Sequence, residues 1–316
     1  MRASLPADVQ QGFLDVAEDS TDSGSPQLRV FYYGEWTPGG DPPLLLIMGL
    51  ATQMLGWPDE FCEGLAARGL SVVRFDNRDI GLSTHLHGAP PPDLAAAMMG
   101  DTSSASYTLS DMARDAAGLL DALGLASANV VGASMGGMIA QTLAIEHPER
   151  VRTLTSIMST TGDPSVGGAS QAALGVLLAP PARDRAEAIE RTVSTYRVIG
   201  SPAYELDEPA LRERAGRSFD RAYDPAGVGR QLLAVLASGD RTPRLRELGL
   251  PALVIHGADD PLVRVSGGRA TAAAIPGAEL VELDGMGHDL PRALWPPITD
   301  RIVALVERVE GERLAA

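Results

Sequence analysis

Along this chain, short apolar runs alternate with longer stretches in which apolar residues recur every three or four positions, the mark of strands interleaved with helices. Two strand-like segments, 12–18 and 28–35, are separated by the turn-rich 20–26, so they are expected to pair antiparallel. After Pro42-Pro43 comes Leu44-Leu45-Leu46-Ile47-Met48, a continuous apolar run suited to a strand covered on both faces. Trp57-Pro58-Asp59-Glu60 then reads as a helix start, with Pro and acids in the first turn and Phe61, Leu65 and Ala66 as an inner stripe. Further strands are expected at 71–75, 130–133, 151–158, 252–256 and 279–283, and helices at about 108–124, after 134, near 267–274 and from 295 to 309. Pro90, Pro91 and Pro92 exclude regular structure ahead of the 108–124 helix.

The alternation pauses once. From about 161 to 242 there is no strand signal, only helix-like segments rich in Arg, Glu and Ala, which reads as a lid-like insertion. Strand and helix in turn imply a mostly parallel sheet with helices on both faces. The expected organisation is therefore a core in two parts, 1–159 and 246–316, interrupted by a helical cap over 160–245.

Composition narrows what such a core can do. No apolar run reaches the roughly 18 residues that span a bilayer, and the first 22 residues lack the apolar segment of a signal peptide, so no stable membrane insertion is expected. The single cysteine, Cys62, excludes an internal disulfide and a Cys-rich metal site; it suits a reducing cytoplasm and reads as a helix-face residue. A net charge of −15 argues against nucleic acid as a partner, and oligomeric state is left open. Every one of the 26 basic residues is Arg. Without lysine there is no Schiff base and no P-loop phosphate grip.

The chemistry points to one stretch. Val130-Val131-Gly132-Ala133-Ser134-Met135-Gly136-Gly137 is a short strand, a Gly-x-Ser-x-Gly turn and the start of a helix, the order of a nucleophile elbow. Gly132 and Gly136 give the room that such a tight turn requires, and Ser134 would stand at its tip with the Met135 amide at a helix start. A serine hydroxyl needs a base, and of the five histidines only His288 follows the last strand in a Gly-flanked loop. An acid should orient it. Asp259 and Asp260 stand side by side after strand 252–256, Asp260 being favoured because it completes Gly-x-x-Asp before Pro261; Asp163 is a third option. A second oxyanion donor is expected from the Leu50 amide in Met48-Gly49-Leu50. Trp57 could line an acyl pocket or staple the helix start, and Asp76 and Arg78 read as partners that fix their loop.

Taken together, Ile47-Met48-Gly49-Leu50, Gly56-Trp57-Pro58, the run Arg74 to Ser83, Tyr107 to Met112, Gly132 to Met138 and Asp284 to Pro291 resemble the actinobacterial α/β-hydrolases of the lipase/esterase G type. Aclacinomycin methylesterases are a more distant likeness. The resemblance implies an α/β-hydrolase fold, with an eight-stranded, mostly parallel sheet and a helical cap after the sixth strand. It also implies hydrolysis of small carboxylic esters with neither metal nor organic cofactor. Ser134, Asp260 and His288 would be the triad, and the Leu50 and Met135 amides the oxyanion donors. Lactone, thioester and phospholipid hydrolysis use the same triad, and a ligand-binding protein that kept the frame is the alternative from another class.

Overall fold

The computed structural model describes residues 11–15, 27–33 and 42–314. The reading of the first 22 residues, apart from 11–15, and the far ends of the two N-terminal strands lie outside them. One eight-stranded sheet runs through the molecule in the order β1-β2-β4-β3-β5-β6-β7-β8. Its strands are β1 (Gln11–Asp15), β2 (Gln27–Tyr33), β3 (Leu44–Ile47), β4 (Val72–Phe75), β5 (Ala128–Ala133), β6 (Val151–Ile157), β7 (Ala252–Gly257) and β8 (Glu279–Leu283). β1 pairs antiparallel with β2, and β2 antiparallel with β4, whereas β4, β3, β5, β6, β7 and β8 lie parallel.

Strand parity sorts the core into two layers. In β3, Leu45 and Ile47 pack on one face with Met112, Leu119 and Leu120 of α3 (Leu109–Ala122) and Ile139 and Leu143 of α4 (Met135–Glu146). Leu44 and Leu46 face the other way, against Phe61 and Leu65 of α1 (Asp59–Ala66) and Ile298 and Ile302 of α11 (Trp295–Leu314). A run of adjacent aliphatic residues is needed for that, since successive side chains of a strand point to opposite faces. Each such fully buried side chain stabilises the fold by roughly 1.5–3 kcal/mol. β8 closes the sheet and is only half-buried, as an edge allows.

Seven further helices among the described residues complete the fold, five of them in the insertion. α2 (Leu94–Met98) starts one residue after Asp93, whose carboxylate accepts from the Ala96 amide at 2.9 Å. The prolines before it led the sequence to predict no regular structure there, but Pro92 lies two residues ahead of the helix and does not interrupt it. α10 (Val265–Ala274) joins β7 to β8. Between β6 and β7 the chain leaves the sheet for α5 (Gln171–Leu177), α6 (Arg185–Ile199), α7 (Glu208–Arg221), α8 (Pro225–Ser238) and α9 (Thr242–Leu245). Asp184, Asp207 and Asp224 cap α6, α7 and α8 by accepting from the amides of Glu187, Ala210 and Gly227.

Candidate active site

β5 ends at Ala133 and α4 begins at Met135, so Ser134 makes the whole turn, at φ 56° and ψ −122°. A positive φ on a non-glycine residue costs about 1–3 kcal/mol and persists only where surroundings enforce it. Here they do. A Cβ on Gly132 would strike the carbonyl of Gly136, and one on Gly136 would strike the carbonyl of Ile47, so the strand, the helix and β3 interlock through bare backbone. The Ser134 amide donates to the Ile157 carbonyl at 2.9 Å, and the Ser159 hydroxyl donates to the Ser134 carbonyl at 2.8 Å.

The structure brings three of the expected side chains together. Ser134 Oγ lies 3.0 Å from His288 Nε2, and His288 Nδ1 lies 2.7 Å from Asp260 Oδ2. Asp260 is buried, and its other oxygen accepts from the amides of Leu262 and Val263 at 2.8 and 2.9 Å. A carboxylate so held only accepts, so Nδ1 of His288 carries the hydrogen and Nε2 presents a lone pair to the serine hydroxyl. The other two acids lie elsewhere. Asp259 accepts from the Gly285 amide at 2.9 Å and so braces the loop that carries His288, while Asp163 accepts from Ser165 in an exposed turn.

Leu50 follows Gly49, where a Cβ would come within 3.0 Å of Ser134 Cβ, so the turn after β3 lies directly against the serine. The Gly49 carbonyl accepts from the Thr52 amide at 3.3 Å. Because the peptide unit is planar and trans, the Leu50 N–H points the opposite way. Met135 opens α4 beside the same serine, where a helix N-terminus favours negative charge. Trp57 is not part of this group. Its side chain is fully buried, stacked on Phe61 with ring centroids 5.6 Å apart, and it offers no surface to a ligand. It belongs to the core layer of Leu44, Leu46, Phe61 and Leu65.

The loop after β4 is a brace, as its polar residues suggested. Asp76 accepts from the amides of Met54 and Leu82 at 2.8 and 3.0 Å and pairs with Arg221 of α7. Asp79 takes a two-pronged pair from Arg230 of α8, and Arg78 a matching one with Asp115 of α3. Arg221, Arg230 and Gln231 are the contributors that sequence reading missed. Arg221 and Arg230 leave no local signal, and Gln231 stands out only as a polar residue in line with the apolar Ala234 and Val235 of α8.

Other candidate chemistry lies apart. Cys62 is buried in α1 and its thiol is pushed up to about 12 by burial, which leaves it inert. Among the described residues, His85, His87 and Asp224 form a group able to hold a metal ion, with ligand atoms within 4.8 Å of one another. His85 already directs Nδ1 to Asp224 Oδ2 at 2.8 Å and Nε2 to the Gly81 carbonyl at 2.9 Å. A cavity of about 330 Å³, lined by Tyr196, Gly200, Tyr204, Asp259 and Asp289, backs onto the His288 loop but touches neither His288 nor Ser134. No helix among the described residues is long and apolar enough to cross a membrane.

A strained serine between a parallel strand and a helix, on a sheet of this order, defines a class of protein. The chain belongs to the alpha/beta hydrolase fold family, whose pattern matches residues 42–291. Among individual relatives, rhodomycin D methylesterase DauP of Streptomyces sp. (strain C5) is 33% identical over 294 residues, covering 85% of this chain and 93% of that protein. The DnrP methylesterase of Streptomyces peucetius matches equally, at 33% identity with the same coverage. Of solved structures, the enol-lactonase from Burkholderia xenovorans LB400 superposes with a TM-score of 0.67 at 25% identity, covering 89% of this chain and 96% of its own.

Proposed function

We propose that this protein is a serine esterase that hydrolyses small carboxylic esters through an acyl-enzyme. The observation that carries the reading is the relay from Ser134 Oγ through His288 to Asp260, at 3.0 and 2.7 Å, beside the turn that bears the Leu50 amide. His288 Nε2 takes the hydroxyl proton as Ser134 Oγ attacks the ester carbonyl. The carbonyl oxygen becomes an oxyanion facing the amides of Leu50 and Met135; one such donor is worth about 3 kcal/mol in the transition state. Collapse expels the alkoxide, which takes the proton from His288, and leaves the acyl group on Ser134. Water, deprotonated by His288, then attacks the acyl carbonyl, and Ser134 departs with its proton restored. Asp260 keeps the imidazole in the required tautomer and stabilises it while it is charged.

The relatives' names support this choice within the family: two are methylesterases and one structural neighbour is an enol-lactonase. A methyl ester is therefore the first substrate to try. The absence of lysine and the burial of Cys62 leave Ser134 as the nucleophile best placed for the chemistry, and a reducing cytoplasm suits the one free thiol. The test is covalent labelling. A fluorophosphonate should label the wild type and not Ser134→Ala, and the same substitution should lower p-nitrophenyl ester turnover by roughly 10⁴-fold or more. Equal labelling of the two proteins rejects the assignment, and tight ligand binding with no turnover in the wild type would favour a receptor instead.

A further inference from the structure

Three successive peptide units carry the turn after β3, and each is held by at least one hydrogen bond. The Met48 carbonyl accepts from Asn77 Nδ2 at 2.9 Å, which fixes the first unit. The Gly49 carbonyl accepts from the Thr52 amide at 3.3 Å, and that unit bears the Leu50 N–H. In the third unit both ends are held: the Leu50 carbonyl accepts from Thr52 Oγ1 at 3.0 Å, and the Ala51 N–H donates to Gln231 Oε1 at 3.1 Å. Gln231 lies 180 residues further along, on α8 of the insertion.

Gln231 is fully buried, and its amide has one possible orientation. Nε2 donates to the Arg78 carbonyl at 2.8 Å, so Oε1 must be the atom that receives the Ala51 N–H. Ala51 itself sits at φ 58°, a strained value for a residue with a side chain. Strain of that kind relaxes unless something holds it, and a peptide that rotates at Ala51 turns its neighbour, the unit carrying the Leu50 amide. Neither the polar loop nor α8 fixes this turn alone.

We infer that Gln231 is a positioning residue for the Leu50 oxyanion donor, so that one side chain of the insertion holds part of the hydrolytic site in place. The inference rests on the esterase reading above and adds a residue from the insertion to it. Gln231 touches no reacting atom; it acts through the Ala51 peptide. Misplacing a donor is milder than deleting one, for which the loss is about 10²–10³-fold in kcat. Gln231→Leu should therefore lower kcat by roughly 10- to 100-fold and leave KM within about twofold, since the oxyanion exists only in the transition state.

The discriminating measurement uses a trifluoromethyl ketone, which adds to the serine and carries an oxyanion. Its Ki should rise in Gln231→Leu by the same factor by which kcat/KM falls. Gln231→Met, of nearly the same shape and without the hydrogen bonds, should behave likewise and serves if the Leu variant does not fold. The control is Ser238→Ala, which loosens the other end of α8: Ser238 Oγ accepts from the Leu109 amide at 2.9 Å, remote in sequence from the turn. It should lower the melting temperature and leave Ki within twofold. An unchanged Ki in both Gln231 variants overturns the inference, and so does an equal rise in Ser238→Ala. Fluorophosphonate labelling of the wild type separates the two readings: no labelling defeats the esterase itself, while normal labelling with an unchanged Ki defeats only the role given to Gln231.

Discussion

The elbow around Ser134 and the seam beneath the insertion hold their parts by different means. At the elbow, backbone packs on backbone: Gly132 lies against Gly136 and Gly136 against Ile47, with no space for a methyl group between them. At the seam, buried charges meet in pairs: Arg230 with Asp79, both almost wholly enclosed, and Arg221 with Asp76. Steric exclusion is local and tolerates no substitution. A charge pair spans any sequence distance, resists the loss of one member, and tolerates the loss of both far better. The serine is therefore fixed by its own strand and helix, whereas the turn after β3 is held in part from α8, where Gln231 Oε1 accepts from the Ala51 amide.

The strongest way to break this contrast is at the glycines. Gly136→Ala should abolish turnover, by at least about 1,000-fold in kcat/KM or roughly 4 kcal/mol, because its Cβ can be accommodated only by moving β3 or α4. Steady-state kinetics on soluble protein checks it. A variant with near-normal kcat would show that the elbow is less tightly interlocked than its backbone contacts require.

Arg230→Met should come next. It leaves the Asp79 carboxylate buried and unpaired, which costs about 3–5 kcal/mol, read as a lower urea midpoint. Adding Asp79→Asn should recover part of the loss, as it removes the stranded charge. No recovery would show that the stranded charge is not what costs Arg230→Met its stability.

This difference also decides what the sequence could disclose. The elbow was legible because its requirements fall within five consecutive residues, and His288 because it alone follows the last strand. The core strands were legible because parity in an apolar run such as Leu44 to Ile47 fixes which layer each side chain joins. Asp260 could be preferred over Asp259 by its neighbours, but only the geometry shows one turned to His288 and the other to Gly285. The seam was hidden. Asp76 and Arg221 are 145 residues apart, Asp79 and Arg230 are 151 apart, and no local pattern marks either arginine among the chain's many. Trp57 stayed open between a pocket and the helix start because an aromatic residue ahead of a helix looks the same whether it faces a pocket or the core.

The smallest expected effect sharpens the comparison from the core's side. His256 lies one residue before the end of β7 with its imidazole fully buried, donating through Nε2 to the Val263 carbonyl at 2.7 Å, and Nδ1 has no partner among the described residues. Burial holds its pKa below the ordinary histidine value, against the opposing pull of the Val263 carbonyl and the Asp260 carboxylate, with the nearby His288 reinforcing the fall. Asp260 Oδ2 lies 3.6 Å away, and Glu282 of β8 also favours the charged form. In the unfolded chain the ring titrates near about 6.5. Folding thus excludes a proton that the unfolded chain accepts, so this contribution to stability is complete above that pH and is lost as pH falls through the folded value. Urea midpoints measured downward from about pH 7.5 should decline more steeply in the wild type than in His256→Phe, whose absolute stability is lower but whose side chain cannot take up a proton. The seam has charged groups to meet an acid shift; the floor beneath Asp260 has a neutral ring and no acceptor on Nδ1. Equal slopes in the two proteins would show that His256 takes up its proton as readily in the folded protein as in the unfolded chain, and that burial does not exclude it.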